Sequence, residues 1–288
     1  MSKLFDASQA QTSTASENGL REITQILEGI RTTDGAATEM AKHRLDSSRR
    51  VTLSRQHEAV LLSAEDSREC MAAMEAYRAL RTRLVRLQNT KGIRSVAITS
   101  ALHGDGKSLT SLNLAIAVSQ MPDARVLLVD GDLRTRGLTS LVGNFPPPGL
   151  TEVLDSGEKF ENAIVSTNLQ NLHFAPAGLG SMEASELFAK PRWKEFVGWC
   201  AEGFKLMIVD CPPLLGLADT ELISAACDGV LLVVRDRRTD RELLSDAVKQ
   251  IDKSKALGVI YNAKQDTFKR YYGYGYDAYY GRGKAKQA

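Results

Sequence analysis

The sequence predicts an α/β fold, a mostly parallel sheet covered by helices on both faces. Three observations predict it. Between Ser95 and Asn262, short apolar runs alternate with stretches of helical periodicity, the pattern of parallel strands joined by crossover helices. The apolar runs are near-continuous, as in Val126-Leu127-Leu128-Val129 and Leu206-Met207-Ile208-Val209, which marks strands buried on both faces. With 288 residues, 43% of them hydrophobic, the chain can fill one generous core.

Element by element, Ser63 with Asp66 three residues on resembles a capping box opening a long helix through Leu87. Strands are expected at Ser95–Ser100, Arg125–Asp130, Leu172–Ala175, Lys205–Asp210, Gly229–Arg235 and Leu257–Asn262. Helices are expected at Lys107–Gln120, Arg192–Ala201, Asp219–Cys227 and Arg241–Lys253. In such a sheet, ligands bind beyond the carboxyl ends of the strands.

Three regions follow from composition. Residues 1–62 contain no Pro and only Phe5 as an aromatic, and are rich in Ser, Thr, Gln, Glu and Arg; a largely disordered segment is expected. Within it Leu20, Ile23, Ile26, Leu27 and Ile30 lie on one face of a short helix, a candidate docking element that is marginal alone. Residues 63–265 form the folded domain. Residues 266–288 form a Tyr/Gly-rich tail, flexible because interleaved glycines oppose helix.

Composition also excludes. Thirty-seven Lys and Arg against 35 Asp and Glu give a net charge of +2, without the basic excess of a dedicated nucleic-acid binder. No apolar run approaches the roughly 18 residues of a membrane span, and the N-terminus lacks the order of a secretory signal. The expectation is a cytoplasmic protein. Cys70, Cys200, Cys211 and Cys227 are scattered without a C-x-x-C pair, so buried reduced thiols are expected and a His/Cys metal site is not.

The strongest motif is Ala101-Leu102-His103-Gly104-Asp105-Gly106-Lys107-Ser108, between an expected strand and an expected helix. That context makes it a phosphate-binding loop. Gly104 and Gly106 let backbone N–H groups, with those of Asp105 and Leu109, approach phosphate oxygens at a helix N-terminus. Lys107 would neutralise the β- and γ-phosphates of a nucleotide, and the Ser108 hydroxyl would ligate Mg2+. Ala101 stands where this pattern normally has Gly. Asp130 and Asp132 fall at and just past one strand end and Asp210 at another, facing the same crevice, where they can hold Mg2+ directly or through water.

Together these motifs resemble the bacterial tyrosine kinases, cytoplasmic autokinases of polysaccharide export, within the MinD/ParA-like P-loop ATPases. The resemblance covers about Cys70 onward. It matches Lys107 to the Walker A loop, Asp130-Gly131-Asp132-Leu133-Arg134 to a second Walker A-like motif, and Asp210 to Walker B. It implies ATP and Mg2+ as cofactors. Lys107, Asp130, Asp132 and Asp210 become catalytic, with Asp130 accepting the tyrosine proton. Ser108, Asp132 and Asp210 become metal ligands, and Asn262 an adenine contact. Glu75, Arg78 and Arg81 are similar to the element that joins subunits into a ring, so a homo-oligomer is implied.

Tyr271, Tyr272, Tyr274, Tyr276, Tyr279 and Tyr280 hold six of the chain's eight tyrosines within ten residues and become the phosphoacceptors. From Asn262 to Tyr276 the chain can extend ~46–50 Å, enough to reach its own or a neighbour's site. A membrane-embedded polysaccharide co-polymerase is the implied activating partner, recruiting the chain to the inner membrane face. His103 and Arg136 stand where the family usually has Pro, so altered loop geometry with retained activity is expected. The alternative is a MinD/ParA-type ATPase or a nucleotide switch without kinase activity. Against the ATPase, Leu102 occupies the position of those proteins' second lysine.

Overall fold

In a computed structural model, residues 49–53, 68–143 and 145–262 are described. The expected N-terminal docking helix, the helix start at Ser63 and the tail tyrosines lie outside them. The described residues form an eight-stranded sheet of β1 (Arg50–Val51), β2 (Ser95–Ser100), β3 (Val126–Asp130), β4 (Val165–Thr167), β5 (Leu172–Ala175), β6 (Leu206–Asp210), β7 (Gly229–Arg235) and β8 (Ala256–Asn262). Their spatial order is β1-β4-β5-β3-β6-β2-β7-β8. Every pairing is parallel except β4 with β5. The helices are α1 (Arg68–Lys91), α2 (Lys107–Ser119), α3 (Gly137–Val142), α4 (Leu150–Ser156), α5 (Ala184–Ala189), α6 (Pro191–Gly203), α7 (Asp219–Ala226) and α8 (Arg241–Lys249).

The central strands β2, β3 and β6 are buried at every residue, as their apolar runs require. Alternate residues serve opposite faces. Val96, Ile98, Val126, Leu128, Leu206 and Ile208 pack with Leu84 of α1 and Leu112, Leu114 and Ile116 of α2. Trp193 and Phe196 of α6 are stacked with centroids 5.9 Å apart, and Phe188 of α5 meets Trp193 edge-on at 5.2 Å. Trp193 is 1% exposed and donates its indole N–H to the Ile223 carbonyl of α7, so the polar atom of the largest core side chain is satisfied. A smaller cluster joins Leu232 and Val234 of β7 to Ala247 of α8, Leu214 and Ala101. The loop position without its usual glycine is therefore filled by a buried methyl group.

The topology places the carboxyl ends of β2, β3 and β6 side by side. Ile98 and Asp130 both pair in register with Asp210. All four cysteines are buried. Residues 49–53, part of the segment expected to be largely disordered, supply an edge strand, with Arg50 opposite Ser166 and Val51 opposite Thr167.

Candidate active site

The phosphate loop follows β2 and opens α2. Gly104 and Gly106 take φ of +87° and +93°, left-handed conformations that glycine adopts without steric cost. Gly106 is the N-cap of α2 and supplies no side-chain cap. The first N–H groups of a helix need acceptors from outside it. A phosphate is an acceptor that fits them. Asn262, at the end of β8, donates its amide to the Asp105 carbonyl at 2.9 Å. Leu109 lies in the first turn of α2 and can contribute only its backbone to such a ligand.

The acids converge on this loop. Lys107, 6% exposed, holds its Nζ 3.5 Å from Asp132 Oδ2. Asp132 Oδ1 accepts the Thr135 N–H at 3.1 Å. Asp130, fully buried, accepts the Asp132 N–H at 3.2 Å on one oxygen and the Thr139 N–H at 2.7 Å on the other. Asp210, also fully buried, has its Oδ1 3.2 Å from the Ser111 hydroxyl. Its Oδ2 has no hydrogen-bond partner among the described residues.

Burial, then the neighbouring Asp210, pushes the Asp130 carboxyl up to about 7. Burial also raises Asp210 to about 6, against the opposing pull of Lys107 and the Ser108 and Ser111 hydroxyls. A buried carboxylate oxygen without a protein donor can accept from a water or face a cation. The donor set of Ser108, Asp132 and Asp210 is all oxygen, which suits Mg2+.

Residues 93–262 match the AAA domain family. Over 202 residues the chain is 33% identical to the tyrosine-protein kinase YwqD of Bacillus subtilis strain 168, covering 69% of this chain and 85% of that protein. The chain belongs to the bacterial tyrosine kinase family. It is also 34% identical over 212 residues to the putative tyrosine-protein kinase EpsB of Ralstonia solanacearum, 73% of this chain but 28% of that protein. The kinase domain of the Escherichia coli tyrosine kinase ETK superposes with a TM-score of 0.61 at 28% identity, over 66% of this chain and 75% of that one.

The fold is shared with that kinase domain. Arg136, where proline is common, has φ +52°, a value the proline ring cannot reach. Its N–H donates to the Asp132 carbonyl at 2.8 Å.

Of the residues expected at a subunit contact, Glu75 and Arg78 pair with each other at 3.3 Å on a half-exposed face of α1. Arg81 instead donates to the Ala117 carbonyl of its own chain at 3.0 Å.

Three contributors escaped sequence analysis. Ser111 lies four residues after Lys107 and therefore on the same helix face, a spacing that could have flagged it. Thr139 holds Asp130 through its side chain and its backbone N–H, from a position nine residues on that no motif marks. Asp219, 1% exposed, receives a two-pronged ion pair from Arg134, with Nε at 2.7 Å and Nη2 at 3.1 Å. That pair fixes the chain just beyond Asp132.

Proposed function

We propose that the chain is an ATP-dependent protein-tyrosine autokinase that phosphorylates its C-terminal tyrosine cluster and regulates polysaccharide synthesis or export. The observation that carries this reading is the convergence of Lys107, Asp130, Asp132 and Asp210 around a helix N-terminus left without a side-chain cap. Phosphoryl transfer needs positioning and charge stabilisation above all. In this reading the loop N–H groups and Lys107 orient the terminal phosphates. Ser108, Asp132 and Asp210 hold Mg2+, which when bound neutralises charge across those phosphates. Asp130 takes the phenolic proton. A carboxyl titrating at about 7 is well matched to that task near neutral pH. Asn262 contacts the adenine.

The tail acts as substrate and switch. From Asp266 onward, five basic residues against two acids give +3. Each phosphate adds about −1.5 to −2, so modification of all six tyrosines turns a basic segment strongly anionic and disfavours its return to the site. Glu75 and Arg78 support ring assembly; Arg78→Glu should shift the assembled form to smaller species in sedimentation. The matched region makes up most of YwqD and a minor part of EpsB. In this reading a membrane partner recruits the chain from the cytoplasm.

The test is incubation of the purified protein with labelled ATP followed by phosphosite mapping. Tail phosphotyrosine that disappears with Lys107→Met is expected. The variant with all six tail tyrosines changed to Phe should keep ATP binding and lose most of the label. Phosphate release without labelled protein would instead favour the plain ATPase.

A further inference from the structure

The turn after β7 reaches across to the phosphate loop. Arg235 Nη1 donates to the Gly104 carbonyl at 2.9 Å. Arg238 donates to the same carbonyl through Nη1 at 3.2 Å and lies 3.4 Å from the His103 carbonyl through Nη2. The Arg238 guanidinium lies against the Gly104 backbone so closely that a Cβ there would stand 2.8 Å from Nη2 and 2.9 Å from Nη1. Gly104 is therefore favoured by its φ of +87°, and a Cβ there would push the flexible Arg238 guanidinium aside.

Neither arginine was a candidate on sequence grounds, and the chemistry proposed above gives them no part. Both are exposed, yet their heads converge on consecutive carbonyls of one functional loop.

In a trans peptide the C=O and the following N–H point in opposite directions. Carbonyls drawn toward the arginines turn the N–H groups of Gly104 and Asp105 the other way. A cation on the carbonyl also polarises the amide and strengthens its N–H as a donor. We infer that Arg235 and Arg238 are positioning residues that clamp the back of the phosphate loop, so that its N–H groups meet the β- and γ-phosphates of a bound nucleotide.

The inference rests on the nucleotide-binding reading above. The clamp acts on the part of the loop that meets the outer phosphates, so its loss should be felt by ATP and ADP and not by AMP. The arginines are solvent-exposed, which limits the effect. Each Arg→Ala change should weaken Mg-ATP binding about 3- to 10-fold. Arg238→Lys should recover little, because an ammonium cannot reach two carbonyls as a planar fork does.

Calorimetric titration of the full chain with Mg-ATP, Mg-ADP and AMP, alongside thermal unfolding without nucleotide, tests this. The expected result for Arg235→Ala and Arg238→Ala is weaker ATP and ADP binding, unchanged AMP binding and a nearly unchanged unfolding temperature. Equal losses for all three nucleotides, parental ATP affinity, or a loss that tracks lowered thermal stability would overturn the clamp. A parent protein that binds no ATP would sink the nucleotide reading itself, an outcome separate from any difference between parent and variants.

Discussion

Asp210→Asn should make the nucleotide-free protein more stable at pH 8. The Asp210 carboxyl titrates at about 6 in place of its ordinary 3.8, chiefly because it is buried. Keeping it ionised at pH 8 therefore costs the fold about 3 kcal/mol relative to a neutral side chain. The amide of Asn is nearly isosteric and carries no charge. Its oxygen can face Ser111, and its NH2 falls where Oδ2 has no partner.

For a domain of this size about 3 kcal/mol corresponds to a rise of about 6–12 °C in unfolding temperature. A raised carboxyl contributes most favourably when protonated, so the parent regains stability as pH falls through about 6. At pH 5 the gap between variant and parent should be about half its value at pH 8. The assay is thermal unfolding followed by circular dichroism in EDTA at pH 5 and pH 8. Mg-ATP should then reverse the order at pH 8, stabilising the parent and leaving the variant nearly unchanged. A variant no more stable than the parent at pH 8 in EDTA, or a gap independent of pH, would refute the reasoning.

Other perturbations test the frame around the acids. Arg134→Ala strands Asp219 at 1% exposure and should lower stability by about 3 kcal/mol in denaturant titrations, with Arg134→Lys restoring only part of it. In Gly131→Ala the new Cβ would stand 2.9 Å from Val209 Cγ1 and 3.0 Å from the Asp210 carbonyl oxygen. It should cost about 1–3 kcal/mol and weaken Mg-ATP binding in the same titration. Trp193→Ala empties a large buried volume away from the acids and should cost about 3–5 kcal/mol. ATP affinity measured well below its unfolding temperature should stay near that of the parent.

Strands were the most legible part of the fold, both the fully buried β2, β3 and β6 and the largely exposed β8. The strands Ser95–Ser100 and Gly229–Arg235 were bounded to the residue because long apolar runs end abruptly at polar ones. The short helices Gly137–Val142, Leu150–Ser156 and Ala184–Ala189 escaped notice, because six or seven residues complete too few turns to show a period. The two-residue strand Arg50–Val51 is defined by its partner and not by its own composition.

At the site, Lys107, Asp130, Asp132 and Asp210 were readable because motif and strand-end position agree. Their supports were not. The Thr139 N–H, the Ser111 hydroxyl and the arginines after β7 become visible only once the chain has folded them onto the loop.

Helix α2 has one further consequence. It carries the phosphate-facing turn at Lys107 and, at its other end, the Ala117 carbonyl held by Arg81. Eleven of its thirteen residues are buried, so it behaves as a stiff rod about 20 Å long. Lys107 and the carbonyl that Arg81 holds therefore sit at opposite ends of one buried element, about 15 Å apart along its axis.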